Sequence, residues 1–384
     1  MGGIGISPAV LRWALNRSTR RSEIEERFPK LIRWLNGQDR PTLRELEQLA
    51  RATSTPLGYF FLPEPPEERL PIPYFRTSNS QVALPPSPDL LETMQMMQRR
   101  QEWMREYLIE QGAERLAFVG SAGVKDGPGE LAQDMRQALG LNKEWAARQT
   151  TWTEALRKLQ KSMEEAGILV VINGIVGNNT HRKLDVSEFR GFVLVDEYAP
   201  LVFVNGADGK AAQMFTLAHE LAHLWFGRSA VFDLRELQPA NDEIEQACNR
   251  VAAEFLVPAS ELHEKWASIR HEDNPYQQAA RQFKVSELVI ARRALDLSLI
   301  TRDEFLEFYQ TYRDSEYRTA AQSYGGGDFY ATQNVRIGLR FARAVVRATR
   351  EGRLLYREAY QLTGLYGKTF AQYAQLLDSG GLQQ

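Results

Sequence analysis

The sequence His219-Glu220-Leu221-Ala222-His223 limits the chemistry of this chain more than any other feature. Residues four apart lie on one face of a helix, one turn apart, so both imidazoles can reach one metal ion. The glutamate between them is placed to take a proton from a water molecule whose pKa zinc lowers. The motif therefore predicts a zinc-dependent hydrolase site on an apolar helix. Two hydrogen-bonded histidines on a buried helix are the alternative.

A catalytic zinc ion needs a third protein ligand and keeps one position open. No histidine follows the motif at close spacing, so we expect a carboxylate. Glu245 is best placed, because it lies on the next predicted helix and Asn249 follows on the same face, where it can orient a ligating histidine. Glu243 is the main rival, and the carboxylates that compete for this role are Asp233, Glu236, Asp242, Glu243 and Glu245.

Hydropathy patterns divide the chain into four regions. Residues 1–66 hold four or five short helical patterns, the layout of a helix-turn-helix domain, and residues 67–112 are a proline-rich connector and a long helix. Residues 113–265 change from helical patterns to short β-rich runs and back, which indicates an α+β unit. Residues 266–384 are mainly helical. The fold expected is mainly α with a small α+β core, an N-terminal helix-turn-helix bundle and a C-terminal helical region.

Composition excludes several other classes of protein. The net charge of −2 argues against bulk attraction to nucleic acid, so any basic surface must be local. No apolar run is long enough for a membrane helix, and we expect no membrane partner. The first residues lack the apolar stretch of a signal peptide. The single cysteine, Cys248, cannot form a disulfide within the chain, so a cytoplasmic location is expected.

The stretch FTLAHELAH, followed by EQACNRVAAEFLVP, resembles the ImmA/IrrE family of bacterial and phage metallopeptidases. The preceding EFRGFVLVD and APLVFVN resemble the strands before that family's catalytic helix. The resemblance implies a zincin-like metallopeptidase core with Zn²⁺ as its cofactor. It also implies that His219, His223 and Glu245 are the zinc ligands and that Glu220 is the general base.

Residues 7–62 resemble a Xre/Cro-type helix-turn-helix module, through PKLIRWLNGQDRPTLRELEQLARATSTPLGYFFLPEPP. Residues 1–62 carry ten Lys or Arg against six Asp or Glu, a net charge of +4. The recognition helix of such a module enters the major groove, so Lys30, Arg33 and Arg40 are candidate contacts to operator DNA. Xre-type modules commonly dimerise, and we expect a homodimer. A degenerate module kept for protein contacts is the alternative.

The strand pattern of residues 201–205 bears on how a substrate is held. Peptidases of this kind bind the substrate backbone as an added strand at a sheet edge. Leu201, Phe203 and Asn205 are therefore predicted to line the substrate strand, with an ordinary core strand as the alternative. An oxyanion-stabilising residue is also expected, and His181 and Arg190 are the nearest upstream candidates, neither of them assigned by the sequence.

A basic pattern lies near the C-terminus. Five arginines follow spacings that place them on one face of a single helix: Arg336, Arg340, Arg343, Arg347 and Arg350. Such a stripe can hold nucleic acid or an acidic partner. A solvated face over a packed helix is the alternative.

Two functions are compatible with these features. One is an intracellular zinc-dependent endopeptidase with a DNA-binding regulatory module, which cleaves a regulatory protein such as a repressor or a toxin partner. The alternative is a DNA-binding transcriptional regulator, the antitoxin of a toxin-antitoxin system, which uses the peptidase fold to bind its toxin. The intact HELAH motif together with Glu245 favours retained metal chemistry.

Overall fold

The computed structural model describes residues 3–18, 21–67, 74–75, 86–232, 242–319 and 329–379. The chain divides into two compact units, Met1–Pro71 with Asn79–Met96 and Ile72–Ser78 with Met97–Gln384. Within the described ranges, no helix is both long and apolar enough to cross a membrane. The four predicted domain boundaries remain predictions.

The first unit is a helical bundle. Helices α1 (Pro8–Asn16), α2 (Arg21–Arg27), α3 (Leu31–Leu35) and α4 (Leu43–Ala52) precede a 3₁₀ turn at Leu57–Phe61. A Thr-x-x-Glu spacing forms a capping box at the start of α4, in which the Thr42 backbone amide donates to Glu45 Oε2 at 2.8 Å and the Glu45 backbone amide to Thr42 Oγ1 at 3.3 Å. The bundle has a core of its own, whose largest side chains are Leu11, Phe28, Trp34, Leu46, Leu49 and Phe60.

The second unit is built on a five-stranded sheet. Its strands are β1 (Tyr74–Phe75), β2 (Leu169–Asn173), β5 (Gly191–Leu194), β6 (Leu201–Asn205) and β7 (Ala230–Phe232), in the order β1-β7-β5-β6-β2. A separate hairpin pairs β3 (Ile175–Val176) with β4 (Asn179–Lys183). A small mixed sheet among many helices agrees with the predicted α+β core in a mainly α chain.

Strand β6 lies inside the sheet, and the prediction that Leu201–Asn205 forms a free edge is wrong. It pairs in parallel with β2 and antiparallel with β5. Its five residues are buried, and the Phe203 ring stacks on Phe192 with centroids 4.8 Å apart. The side-chain amide of Asn205 donates to Phe189 O at 3.2 Å. A fully apolar run is typical of a strand covered on both faces, which explains the error.

Helices cover the sheet and carry the rest of the unit. The long α5 (Pro88–Glu110) begins in the first unit and continues into the second. One apolar core runs from α6 through the sheet to α13, with these helices around it: α6 (Pro128–Ala138), α7 (Trp152–Glu165), α8 (Lys210–Phe226), α9 (Glu243–Leu256), α10 (Ala259–Ile269), α11 (Pro275–Phe283), α12 (Glu287–Asp296) and α13 (Arg302–Thr319).

The C-terminal part is helical, as predicted, but the arginine pattern does not lie on a single helix. The described segment contains α14 (Phe329–Ile337), α15 (Leu339–Arg350), α16 (Tyr356–Thr363) and α17 (Gly367–Asp378). Gly338 separates α14 from α15 with a φ of 87°, a backbone conformation that favours glycine. Arg336 therefore lies on a different helix from Arg343, Arg347 and Arg350.

Candidate metal centre

Helix α8 carries the motif through the middle of the second unit. Gly227 ends it in the left-handed conformation, with φ 66°, and its amide bonds back to the carbonyl groups of the last turn. His219, Glu220 and His223 are each 0% exposed. Such burial of three ionisable side chains is costly without partners, so the neighbouring elements must supply them.

Helix α9 supplies the third carboxylate, and both of its ends are fixed. Asp242 caps the N-terminus by accepting the amides of Ile244 at 2.8 Å and Glu245 at 3.3 Å. At the C-terminal end, Arg136 donates to Phe255 O at 2.8 Å and Arg293 to Val257 O at 3.1 Å. Cations at this end of a helix also interact favourably with its dipole. The position of Glu245 is thus held from both ends of α9.

Three side chains converge on one point. His219 Nε2 and His223 Nε2 lie 3.1 Å apart. His219 Nε2 lies 3.2 Å from Glu245 Oε2, and His223 Nε2 lies 3.2 Å from Glu245 Oε1. Donor atoms that bind one zinc ion tetrahedrally at about 2.1 Å lie about 3.4 Å from one another. The three donors therefore fit a single metal ion of this size, and nitrogen and carboxylate donors are those that zinc accepts. Within the described residues they form the one such metal-binding group.

Asn249 orients one of the two histidines. Its side-chain oxygen lies 3.0 Å from His219 Nδ1, on the far side of the ring from Glu245. When Nε2 faces the metal position, Nδ1 carries the proton and donates it to Asn249, which fixes both the tautomer and the ring orientation. His223 Nδ1 is buried and has no hydrogen-bond partner among the described residues.

The Glu220 carboxylate is buried beside this group with both oxygens unpartnered by any described residue. Burial, together with the charge of Glu245, raises the pKa of Glu220 well above its usual range. Its Oε1 would lie 3.1 Å from a Cβ at Gly191 of β5, so the strand's backbone presses directly against the carboxylate. Two empty acceptors next to a metal-binding group suit a polar molecule from outside the chain.

The other ionisable groups of the centre favour metal binding. Burial alone would raise the pKa of Glu245, but the hydrogen bonds from His219 and His223 outweigh it and hold that pKa well below its usual value. Burial lowers the pKa of His219. An ionised carboxylate and a neutral imidazole are the protonation states in which these side chains bind metals.

The rival third ligands are less well placed. Asp242 is used as the cap of α9, and Glu243 points to solvent in the first turn of that helix. Asp233 and Glu236 lie outside the described residues.

Gly191 is a residue that the sequence did not single out, because its role depends on which strand crosses above Glu220.

The remaining predicted residues lie elsewhere. His181 is on the exposed strand β4, and Arg190 forms an ion pair with Asp208 at 2.9 Å. In the first unit, Lys30 pairs with Glu45 at 3.1 Å, and Arg33 and Arg40 are exposed. Helix α3, which would read DNA, has only five residues.

Comparison with known families agrees with this geometry. Residues 163–295 match the family model of the IrrE N-terminal-like domain. The match contains both metal-binding helices, and it indicates a metallopeptidase-like domain that uses a metal ion. Residues 337–375 match a domain of unknown function (DUF8813). Neither match covers residues 1–62, for which a helix-turn-helix module stays a prediction, and no curated protein or solved structure matches the chain.

Proposed function

We propose that this chain is a zinc-dependent endopeptidase that cleaves a regulatory protein. The observation that carries the proposal is the buried cluster of donor atoms, in which the two Nε2 atoms lie 3.1 Å apart and each lies 3.2 Å from its own oxygen of Glu245, beside a Glu220 carboxylate whose two oxygens have no partner among the described residues. A purely structural pair of histidines would not need a buried, unpaired glutamate next to it, because such a group destabilises the fold.

Each residue has a distinct task in this proposal. His219, His223 and Glu245 hold the zinc ion, which when bound polarises a peptide carbonyl and lowers the pKa of water. Glu220 accepts the proton of the attacking water through its free oxygens and passes it to the leaving amine. Asn249 keeps the His219 ring in position. The apolar surroundings of α8 exclude bulk water from the proton transfer.

We infer that the substrate is a specific protein, such as a repressor or a toxin-like partner, and that the first unit recruits the chain to operator DNA as a homodimer. The excess of cations in residues 1–62 and the exposed Arg33 and Arg40 support DNA contact. With β6 inside the sheet, an extended substrate pairs with another part of the sheet than Leu201, Phe203 and Asn205.

Replacing Glu220 with Gln tests the peptidase proposal. The amide cannot accept the proton, so we expect zinc to stay bound while cleavage of the protein encoded by the neighbouring gene is lost in co-expression. Loss of both metal and fold would be visible in the zinc content and the circular dichroism spectrum. Full biological activity of Glu220→Gln would contradict the proposal and favour the antitoxin function, in which the fold only binds its partner.

A further inference from the structure

The segment that matches DUF8813 is strongly basic. Residues 337–375 contain seven Lys or Arg and two Asp or Glu, a net charge of +5 in a chain whose total is −2. This positive charge is therefore concentrated locally, as is the smaller excess of residues 1–62. A local cationic surface raises the concentration of anionic partners near it.

One face of α15 presents part of this charge to solvent. Arg343, Arg347 and Arg350 are exposed and recur at helical spacing, while the opposite face is buried. Arg347 pairs with Glu351 at 2.8 Å, and Arg350 pairs with Asp378. Exposed pairs of this kind contribute little to stability, so an anionic partner can replace the carboxylates at small cost.

Exposed aromatic rings lie on α16 and in the turn before α17. Tyr356 is 58% exposed and Tyr366 is 64% exposed, although both rings contact a tyrosine-rich cluster based on the buried Phe370. Arg350 donates to Ala374 O at 3.5 Å and pairs with Asp378, which joins the basic face of α15 to α17. Arg357 and Lys368 lie exposed beside these tyrosines, without an ion-pair partner among the described residues.

The connection of α16 and α17 has the layout of a helix-turn-helix. Three residues, 364–366, join the helices, and Gly364 ends α16 in the left-handed conformation with φ 71°. A short glycine-containing turn between two helices occurs in this motif, whose second helix enters the major groove in DNA-binding proteins. Lys368 and Gln375 are exposed on α17, and both residue types contact base edges or phosphates.

We propose that α15, α16 and α17 bind duplex DNA, as a surface separate from the metal centre and from the first unit. Arg343, Arg347 and Arg357 contact phosphates, and the exposed side of α17 faces the groove. The combination of dispersed cations with a helix-turn-helix connection favours duplex DNA over an acidic protein, for which the cations alone would suffice. The proposal holds whether or not the chain is a peptidase.

Fluorescence anisotropy of the full-length protein with a labelled random-sequence duplex tests this proposal. Replacing Arg357 and Lys368 with Ala removes two phosphate-directed cations. We therefore expect an affinity about tenfold lower at moderate salt, and a slope of log affinity against log salt concentration that is smaller in magnitude by about two. The matched control replaces Lys125 and Arg148, exposed cations of the same unit outside the matched segment, and should leave the affinity unchanged.

A third variant separates the two candidate DNA surfaces. Lys30→Ala with Arg33→Ala alters only the first unit, and the loss caused by Arg357→Ala with Lys368→Ala should persist on that background. Absence of duplex binding at about 50 mM salt would overturn the proposal, as would equal affinities of the wild type and the Arg357→Ala, Lys368→Ala variant. Binding of labelled polyglutamate by a protein that binds no duplex would overturn the proposal and assign the surface to an acidic protein.

Discussion

His219 shows how a single neighbour can set the chemistry of a site. Its Nε2 belongs to the metal-binding group, and its Nδ1 lies 3.0 Å from Asn249 Oδ1. The Asn249 oxygen selects the tautomer that leaves Nε2 free to bind metal. Asn249 follows Glu245 by four positions, one helical turn, so one face of α9 provides both a ligand and the group that orients another ligand.

Asn249→Ala should lower the affinity for zinc by about 10- to 100-fold, because the His219 ring loses its fixed orientation. Competition with a chromophoric chelator measures this change. Asn249→Asp retains an oxygen acceptor at the same place and serves as the control, with an affinity close to the wild type. An unchanged affinity in Asn249→Ala would mean that packing alone orients the ring.

Gly191 is a second single-residue determinant of the centre. A Cβ at this position would lie 2.6 Å from Thr216 Cγ2, 2.9 Å from Phe203 O and 3.1 Å from Glu220 Oε1. The Phe203 carbonyl belongs to the sheet and cannot move away easily. We expect Gly191→Ala to lower the free energy of unfolding by about 1–3 kcal/mol, as overpacking does.

Urea unfolding followed by circular dichroism checks the Gly191 prediction. Gly129→Ala is the matched control, because a Cβ there meets nothing within 4 Å and alanine favours the helix. Equal stability of Gly191→Ala and the wild type would show that β5 has room to shift away from α8.

The residues of the centre differ in how far the sequence predicts them. The histidines and Glu220 follow from a local helical spacing, and the structure also brings Glu245 and Asn249 to them, as their spacing on α9 suggested. Gly191 leaves no such signal, since its contact with Glu220 depends on the order of strands in the sheet. The two empty oxygens of Glu220 likewise appear only when the chain is folded.

At the scale of elements, the junction of α14 and α15 lies directly against the sheet. A Cβ at Gly338 would lie 2.9 Å from Val170 O of β2. Glu164, at the end of α7, accepts the Arg340 amide at 3.3 Å in the first turn of α15. A carboxylate near a helix N-terminus satisfies free amides and interacts favourably with the helix dipole. Glu164 therefore ties α15 to α7.

Burial raises the pKa of Glu164 to about 7, although the amides of Arg340 and Leu339 and the charges of Arg343 and Arg340 oppose the rise. The folded protein thus holds a proton that the unfolded chain releases near its usual pKa of 4.5. The contribution of Glu164 to the free energy of unfolding is therefore largest below pH 4.5. It falls at about 1.4 kcal/mol per pH unit as the pH rises to about 7, by roughly 3 kcal/mol in all.

Glu164→Gln removes this titration and keeps a hydrogen-bond acceptor. Urea unfolding at acidic and neutral pH should therefore show a smaller loss of stability with rising pH in the variant than in the wild type. Identical pH dependence in the two proteins would show that Glu164 stays ionised in the folded state throughout.

The sequence predicts some helices and strands better than others. The capping box of α4 and the two metal-binding helices carry local signals that the sequence reveals. The edge role of β6 was wrong because an apolar run does not say which strands pair with it. The single-helix arginine stripe was wrong because spacing alone did not show that Gly338 adopts a left-handed conformation.

At the scale of the whole molecule, the chain contains two units with separate apolar cores. A metal ion bound only by the folded second unit stabilises that unit by mass action. We expect a strong zinc chelator to lower the melting temperature of the second unit by several degrees, while the transition of the first unit stays in place. Differential scanning calorimetry with and without the chelator measures both transitions. Equal shifts in both would show that the units unfold together.

The metal content of the purified protein, measured by elemental analysis, tests the candidate metal centre most directly. The buried donor group of His219, His223 and Glu245 predicts about one zinc ion per chain in the wild type and in Glu220→Gln, and a loss of zinc in His219→Ala and in Glu245→Ala. A folded wild-type protein that binds no zinc even from supplemented medium would contradict the account. So would a His219→Ala variant that retains the full zinc content.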